Sequence, residues 1–236
     1  MPIFDFNRGY PFPDPRLAHP SGIVGFGGSL EPGRLLQAYR MGIFPWYSEG
    51  DPIIWWSPDP RMVLYPDEIK ISHSMRKVLK DGYFRITFDI CFRDVIRGCR
   101  EQPRPGQNST WITPEMTNAY TQLHDMGYAH SVEVWLDDRL AGGLYGVSLG
   151  SYFSGESMFS RVSNASKAGL IVLAKTLQKQ GFAMIDCQTY TPHLASMGAR
   201  HISRQQFLKE LQACLTGRTL AGSWQQMKPV CYPFQD

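Results

Sequence analysis

A chain of 236 residues, 43% of them apolar, is long enough for one or two domains with a substantial core and needs no staples to fold. Its net charge of +3 excludes neither a neutral nor an anionic partner. Five cysteines without a C-x-x-C pair speak against a disulfide framework and a cysteine zinc site, and six histidines without an H-x-x-x-H pair give no metal cluster.

The start, MPIFDFNRGYPFPDP, has acids and prolines where a secretory signal needs a basic start and an apolar core. The apolar run at residues 168–174 is far too short to span a bilayer. A soluble, cytoplasmic protein without membrane contact, metal or cofactor is expected. Charge is uneven, with basic segments at 61–110 and 156–236 on either side of an acidic one. That pattern suits a polyanion held by patches, and solvated helix faces produce it too.

Residues 1–62 read as a small loop-rich N-terminal domain whose clear helix is LEPGRLLQAYR, capped by Ser29 and closed by Gly42. The stretch IFPWYSEGDPIIWWSPDPR holds three tryptophans among several prolines, so a rigid irregular backbone carries the rings. Regular elements begin after Met62, and residues 63–236 form the second domain. MVLYP is a short strand, and HSMRKVLKDG is a helix with Arg76, Lys77 and Lys80 along one cationic edge. FRITFD is a strand, DICFRDVIRGCR is amphipathic, and EQPRPGQNST is a mobile loop. TPEMTNAYTQLHDMG is a helix with Thr113 as cap and Pro114 at its first position.

A strand pair turning at Asp137 and Asp138 leads into GSYFSGESMFSRVSNAS. SNASKAGLIVLAKTLQKQG is a helix apolar nearly all round, so it packs on the sheet. FAMIDCQ is a buried strand, Thr191 and Pro192 open a helix, and SRQQFLKELQACL ends the ordered core. The order of elements gives an α+β fold with one sheet.

Two places carry candidate chemistry. If residues 151–159 are extended, Tyr152, Ser154, Glu156 and Met158 share a face, and Glu156 is a lone carboxylate in apolar surroundings. Desolvation disfavours its charged form, so it is either a useful base or a structural acid tied to backbone amides. Asp186 and Gln188, two apart at a strand end, project to one side, where they serve a ligand or satisfy the following turn. Cys187 points away from Asp186, and a buried thiol is usually inert. GESMF lacks the second glycine of a nucleophile elbow, and no G-x-x-x-x-G-K-[ST] loop occurs. The chemistry must run on an already activated substrate.

The strings GG-x-L, LLQAYRMGIFPW, WWSPDPR, TWI, AHSVEVW, LAGGLYGV, GESMFS, ASK and IDCQ-x-x-x-x-H-x-AS-x-GA, in that order, closely resemble the leucyl/phenylalanyl-tRNA protein transferases. The resemblance implies a small N-terminal domain beside a GNAT-like acyltransferase domain, whose mixed sheet is flanked by helices, with no acetyl-CoA used. It implies an enzyme that moves Leu or Phe, or Met, from aminoacyl-tRNA to proteins with N-terminal Lys or Arg, marking them for N-end degradation; a monomer is expected. It places Glu156, Asp186 and Gln188 at the catalytic centre and Trp46 and Trp111 at the tRNA's terminal adenosine. Phe153, Met158, Leu170 and Ile185 match the pocket for the transferred side chain, and Leu144 and Leu173 are placed in it as apolar departures. Leu144 and Leu173 stand where some relatives carry Met and Phe. For the chemistry, Asp186 and Gln188 orient the amine and relay its proton while Glu156 binds the cationic acceptor or fixes Gln188, with a substrate-assisted route through the terminal ribose hydroxyl as the alternative. The cationic edge of Arg76, Lys77 and Lys80 is expected to meet the tRNA backbone. A non-catalytic tRNA-end or peptide-binding module is the alternative, and the three polar residues discriminate, since stacking on bases needs no acids.

Overall fold

The computed structural model describes residues 3–103 and 110–234; most of the stretch read as a mobile loop, residues 104–109, lies outside them. The loop-rich N-terminal region carries a small sheet beside its α-helix. Strands β1 (Phe4–Asp5), β2 (Ile23–Phe26), β3 (Phe44–Pro45) and β4 (Ile54–Trp56) form a sheet in the order β1-β2-β4-β3. None exceeds four residues, too short for alternation to show in the sequence. Helix α1 (Pro32–Arg40) starts from Glu31 with Pro32 at its first position, and Ser29 is not its cap. Proline's fixed φ sets that start without any side-chain hydrogen bond. Gly42, at φ 71°, closes the helix end beneath Phe207 and Leu208, where a side chain would clash.

The larger sheet contains β5 (Arg61–Leu64), β6 (Arg85–Phe88), β7 (Ala129–Leu136), β8 (Arg139–Leu149), β9 (Tyr152–Ser160), β10 (Met184–Gln188) and β11 (Arg200–Ile202). Their order is β11-β5-β10-β9-β8-β7-β6. β7, β8 and β9 are an antiparallel meander whose first turn uses Asp137 at φ 51°. β10 lies parallel to β9, because helix α5 (Ala165–Lys179) makes the crossover between them. β5 then pairs antiparallel with β10, giving a mixed sheet. A boundary drawn after Met62 falls inside β5, since the chain enters this sheet at Arg61.

Helices α3 (Phe92–Glu101), α4 (Pro114–Asp125) and α7 (Arg204–Leu215) contribute to one core cluster, with Tyr145 and Tyr152 from the sheet. Phe6, Phe12, Tyr39 and Trp55 belong to the same cluster, so the N-terminal sheet has no core of its own. Helices α2 (His73–Lys80) and α5 contribute to the second cluster with Leu144, Phe153 and Ile185. The short α6 (Pro192–Ser196) follows β10, capped by Thr191.

The ordered core does not end at α7. Residues 216–234 return across the second cluster, with Trp224 only 3% exposed. This strap has no regular secondary structure, hence no periodicity to betray it. Among the described residues no helix is long and apolar enough to cross a membrane.

Candidate active site

β9 and β10 pair in parallel only as far as Ser154 and Asp186. Just beyond, both are irregular: Glu156 is an extra residue against β8, and Cys187 an extra residue against β5. A bulge re-aims the side chains that follow it. Strict alternation put Met158 beside Tyr152, yet Met158 packs with Phe153 in the second cluster and Phe159 joins Tyr152 in the first. Gln188 sits at φ 62°, so it and Asp186 do not project side by side as simple spacing requires.

Where the strands part there is a cavity of about 580 Å³. Leu144, Phe153, Met158, Leu170, Leu173 and Ile185 all border it, from β8, β9, α5 and β10. So do Trp46, just after β3, and Trp111, just before α4. Trp46 is 39% exposed, and its backbone carbonyl accepts the Trp56 indole N–H at 2.7 Å, which fixes the loop. An exposed ring on a fixed loop suits base stacking. Arg76, Lys77 and Lys80 are exposed on α2 and do not border the cavity.

The polar end is a network across the gap. Gln188 Nε2 donates to Glu156 Oε1 at 2.9 Å and to Ser154 Oγ at 3.3 Å, leaving its Oε1 outside these bonds. Ser154 Oγ donates to Glu156 Oε1 at 3.1 Å, and the Tyr120 hydroxyl donates to Oε2 at 2.9 Å. The Tyr39 and Tyr120 hydroxyls are 2.5 Å apart, which ties α1 and α4 to the site. Burial pushes Glu156 up to about 7, against hydrogen bonding from Tyr39, Tyr120 and Ser154 that pulls it down. Burial, with Glu156 nearby, holds both tyrosines well above their ordinary values, so they remain donors.

Asp186 is placed differently. Its carboxylate is fully buried and takes Arg61 Nε at 2.8 Å, Arg61 Nη2 at 2.6 Å, the Tyr152 hydroxyl at 2.7 Å and the Gln188 backbone N–H at 2.8 Å. Two donors on each oxygen leave little capacity for an incoming amine. The Gln188 N–H bond instead braces that residue's left-handed backbone. Arg61 lies over the rings of Phe44 and Phe207, at 4.8 and 4.4 Å, and its Nη1 donates to the Gly42 carbonyl. One guanidinium thus joins β3, α7 and the Asp186 end of the site. Burial, with Asp186 alongside, pushes the Cys187 thiol well up, which leaves it a poor nucleophile.

Sequence reasoning missed Tyr39, Tyr120 and Arg61, and it set Tyr152 on the face of Glu156, whereas the Tyr152 hydroxyl donates to Asp186. Tyr39 and Tyr120 are far apart in the chain, and nothing in LLQAYR or MTNAY marks a hydroxyl aimed at a carboxylate. Arg61 in SPDPR is written like any surface arginine.

The family model for "Leucyl/phenylalanyl-tRNA protein transferase" matches residues 63–212, and that for its N-terminal domain matches residues 28–59. A leucyl/phenylalanyl-tRNA--protein transferase of Syntrophus aciditrophicus (strain SB) is 55% identical over 224 residues, covering 95% of this chain and 94% of its own. That of Myxococcus xanthus (strain DK1622) is 50% identical over 226 residues, covering 95% and 97%. Among solved structures, a GCN5-related N-acetyltransferase from Kribbella flavida is similar with a TM-score of 0.37 and 7% identity, covering 73% of this chain and 61% of its own. By two matching models and relatives aligned over nearly its whole length, the chain belongs to the leucyl/phenylalanyl-tRNA protein transferase family.

Proposed function

We propose that this protein transfers leucine or phenylalanine from aminoacyl-tRNA to the N-terminal amine of proteins beginning with Lys or Arg, in the cytoplasm. The observation that carries the reading is that three kinds of side chain border one cavity. The first kind is apolar, the second is the pair of rings Trp46 and Trp111, and the third is a buried acid bridged to an amide, Glu156 and Gln188. A leucyl or phenylalanyl side chain suits the first, a terminal adenosine the second, and an attacking amine the third.

The donor ester is already activated, so the protein need only position the reactants and manage one proton. An α-amino group has a pKa of roughly 8, so on the order of a tenth is neutral at pH 7. Gln188 Oε1 accepts an N–H from that amine and aims its lone pair at the ester carbonyl. Nitrogen attacks, the bond from carbonyl carbon to ribose oxygen breaks, and the amine proton passes through Glu156 to the departing oxygen. A carboxylate poised near 7 suits both halves of that transfer. Asp186 and Arg61 are positioning residues that hold Gln188.

The test is incubation with leucyl- or phenylalanyl-tRNA and a peptide beginning with Arg, followed by mass spectrometry. One added Leu or Phe residue is expected. Bound tRNA with an unextended peptide would favour the non-catalytic binding module.

A further inference from the structure

The strap of residues 216–234 is tied down along its length: Thr219 Oγ1 accepts the Gly150 N–H, the Gly222 N–H reaches the Gly127 carbonyl, and the Val230 N–H reaches Thr176 Oγ1. Its buried ring, Trp224, is fixed in place. The Trp224 backbone N–H donates to Asp89 Oδ2 at 2.7 Å, the same carboxylate takes His130 Nδ1 at 2.9 Å, and the indole Nε1–H donates to the Leu220 carbonyl at 3.0 Å. The His130 and Trp224 rings then stack at 3.7 Å and 4°. A plug for the core needs only apolar bulk, whereas this indole has a set orientation. It meets Phe153 at 6.0 Å between ring centroids. On β8, a Cβ at Gly146 would lie 2.6 Å from the Phe153 ring, so that neighbour has no room to spare. Phe153 is therefore held between β8 and Trp224 while it borders the cavity.

We propose that Trp224 sets the depth of the aminoacyl pocket by holding Phe153, which makes the C-terminal strap a determinant of the choice between leucyl and phenylalanyl donors. This rests on the aminoacyl reading of the cavity. Trp224 does not border the cavity and is a positioning residue. A smaller side chain there frees space behind Phe153, deepens the pocket and favours the longer phenylalanine. A methylene's worth of fit changes discrimination ~10- to 200-fold, so Trp224→Leu should shift the Phe-to-Leu ratio of kcat/KM on the order of 10-fold. Trp224→Phe should shift it less. Simple loss of stability would lower both donors together and leave the ratio alone.

The experiment measures kcat/KM for leucyl- and phenylalanyl-tRNA in wild type, Trp224→Phe, Trp224→Leu, Phe153→Leu and the Trp224→Leu/Phe153→Leu pair. The ratio should move toward phenylalanine in both Trp224 variants, and Trp224→Leu should add no further shift once Phe153 is leucine. An unchanged ratio in the Trp224 variants, or an independent additive shift in the pair, overturns the proposal. If Trp224→Leu does not fold, Trp224→Phe decides by the same ratio. Wild-type protein that extends no peptide with either donor refutes the transferase reading, and this proposal with it.

Discussion

Replacing Glu156 by Gln should make the protein more stable at pH 8 and far slower. The carboxyl is 8% exposed, and burial raises it from an ordinary 4.5 to about 7. Below the lower value both folded and unfolded chains hold the proton. Between the two, the fold keeps a proton that the unfolded chain has released, so this group's contribution to stability falls as pH rises, and above about 7 the loss is complete. At 1.36 kcal/mol per tenfold difference, the loss amounts to about 3 kcal/mol. A glutamine keeps the shape, accepts from Gln188 and can donate to Tyr120, without the charge. The variant should therefore melt several degrees above wild type at pH 8, with the gap closing toward pH 5. Single-turnover transfer at saturating phenylalanyl-tRNA should fall roughly 10²- to 10⁴-fold, the span of a positioned acid or base. The wild-type rate should climb with pH through about 7, and the variant should keep only the later limb set by the acceptor amine. A near-wild-type rate with an unchanged pH profile would refute the proton role, and a melting gap that does not grow with pH would refute the buried charge.

Arg61→Met strands the Asp186 carboxylate and should cost ~3–5 kcal/mol by thermal melting, whereas the Arg61→Met/Asp186→Asn pair should recover much of that loss. Trp46→Ala or Trp111→Ala should weaken donor binding by ~1–3 kcal/mol even for a short aminoacylated stem, measured by titration. Neutralising Arg76, Lys77 and Lys80 together should flatten the salt dependence of full-length tRNA binding and spare the short stem; an unchanged slope would place the tRNA body elsewhere.

Much of the fold was legible where local signals are strong. Thr113 and Pro114 mark the start of α4, the alternation from Ser131 to Leu136 marks β7, and the uninterrupted apolar run of α5 marks a buried helix. The N-terminal strands and the strap around Trp224 were not, because two-residue strands and irregular chain leave no period to read. At the site, the residue types of Glu156, Asp186 and Gln188 were visible, but their geometry was not. Bulges at Glu156 and Cys187 break the alternation on which spacing arguments rest. The saturation of Asp186 depends on Arg61, 125 residues away in sequence. Burial and long-range pairing are properties of the fold, and the sequence alone carried no trace of which arginine would be enclosed.

The measurement that bears most directly on the central claim is transfer from one tRNA body charged in turn with leucine, phenylalanine and aspartate to the same peptide beginning with Arg. If the apolar part of the cavity seats the transferred side chain, leucine and phenylalanine should be added and aspartate should be rejected by at least ~10²-fold, since a buried unpaired carboxylate is costly there. Equal transfer of all three would contradict the account, because the cavity would then not be where the aminoacyl group is held.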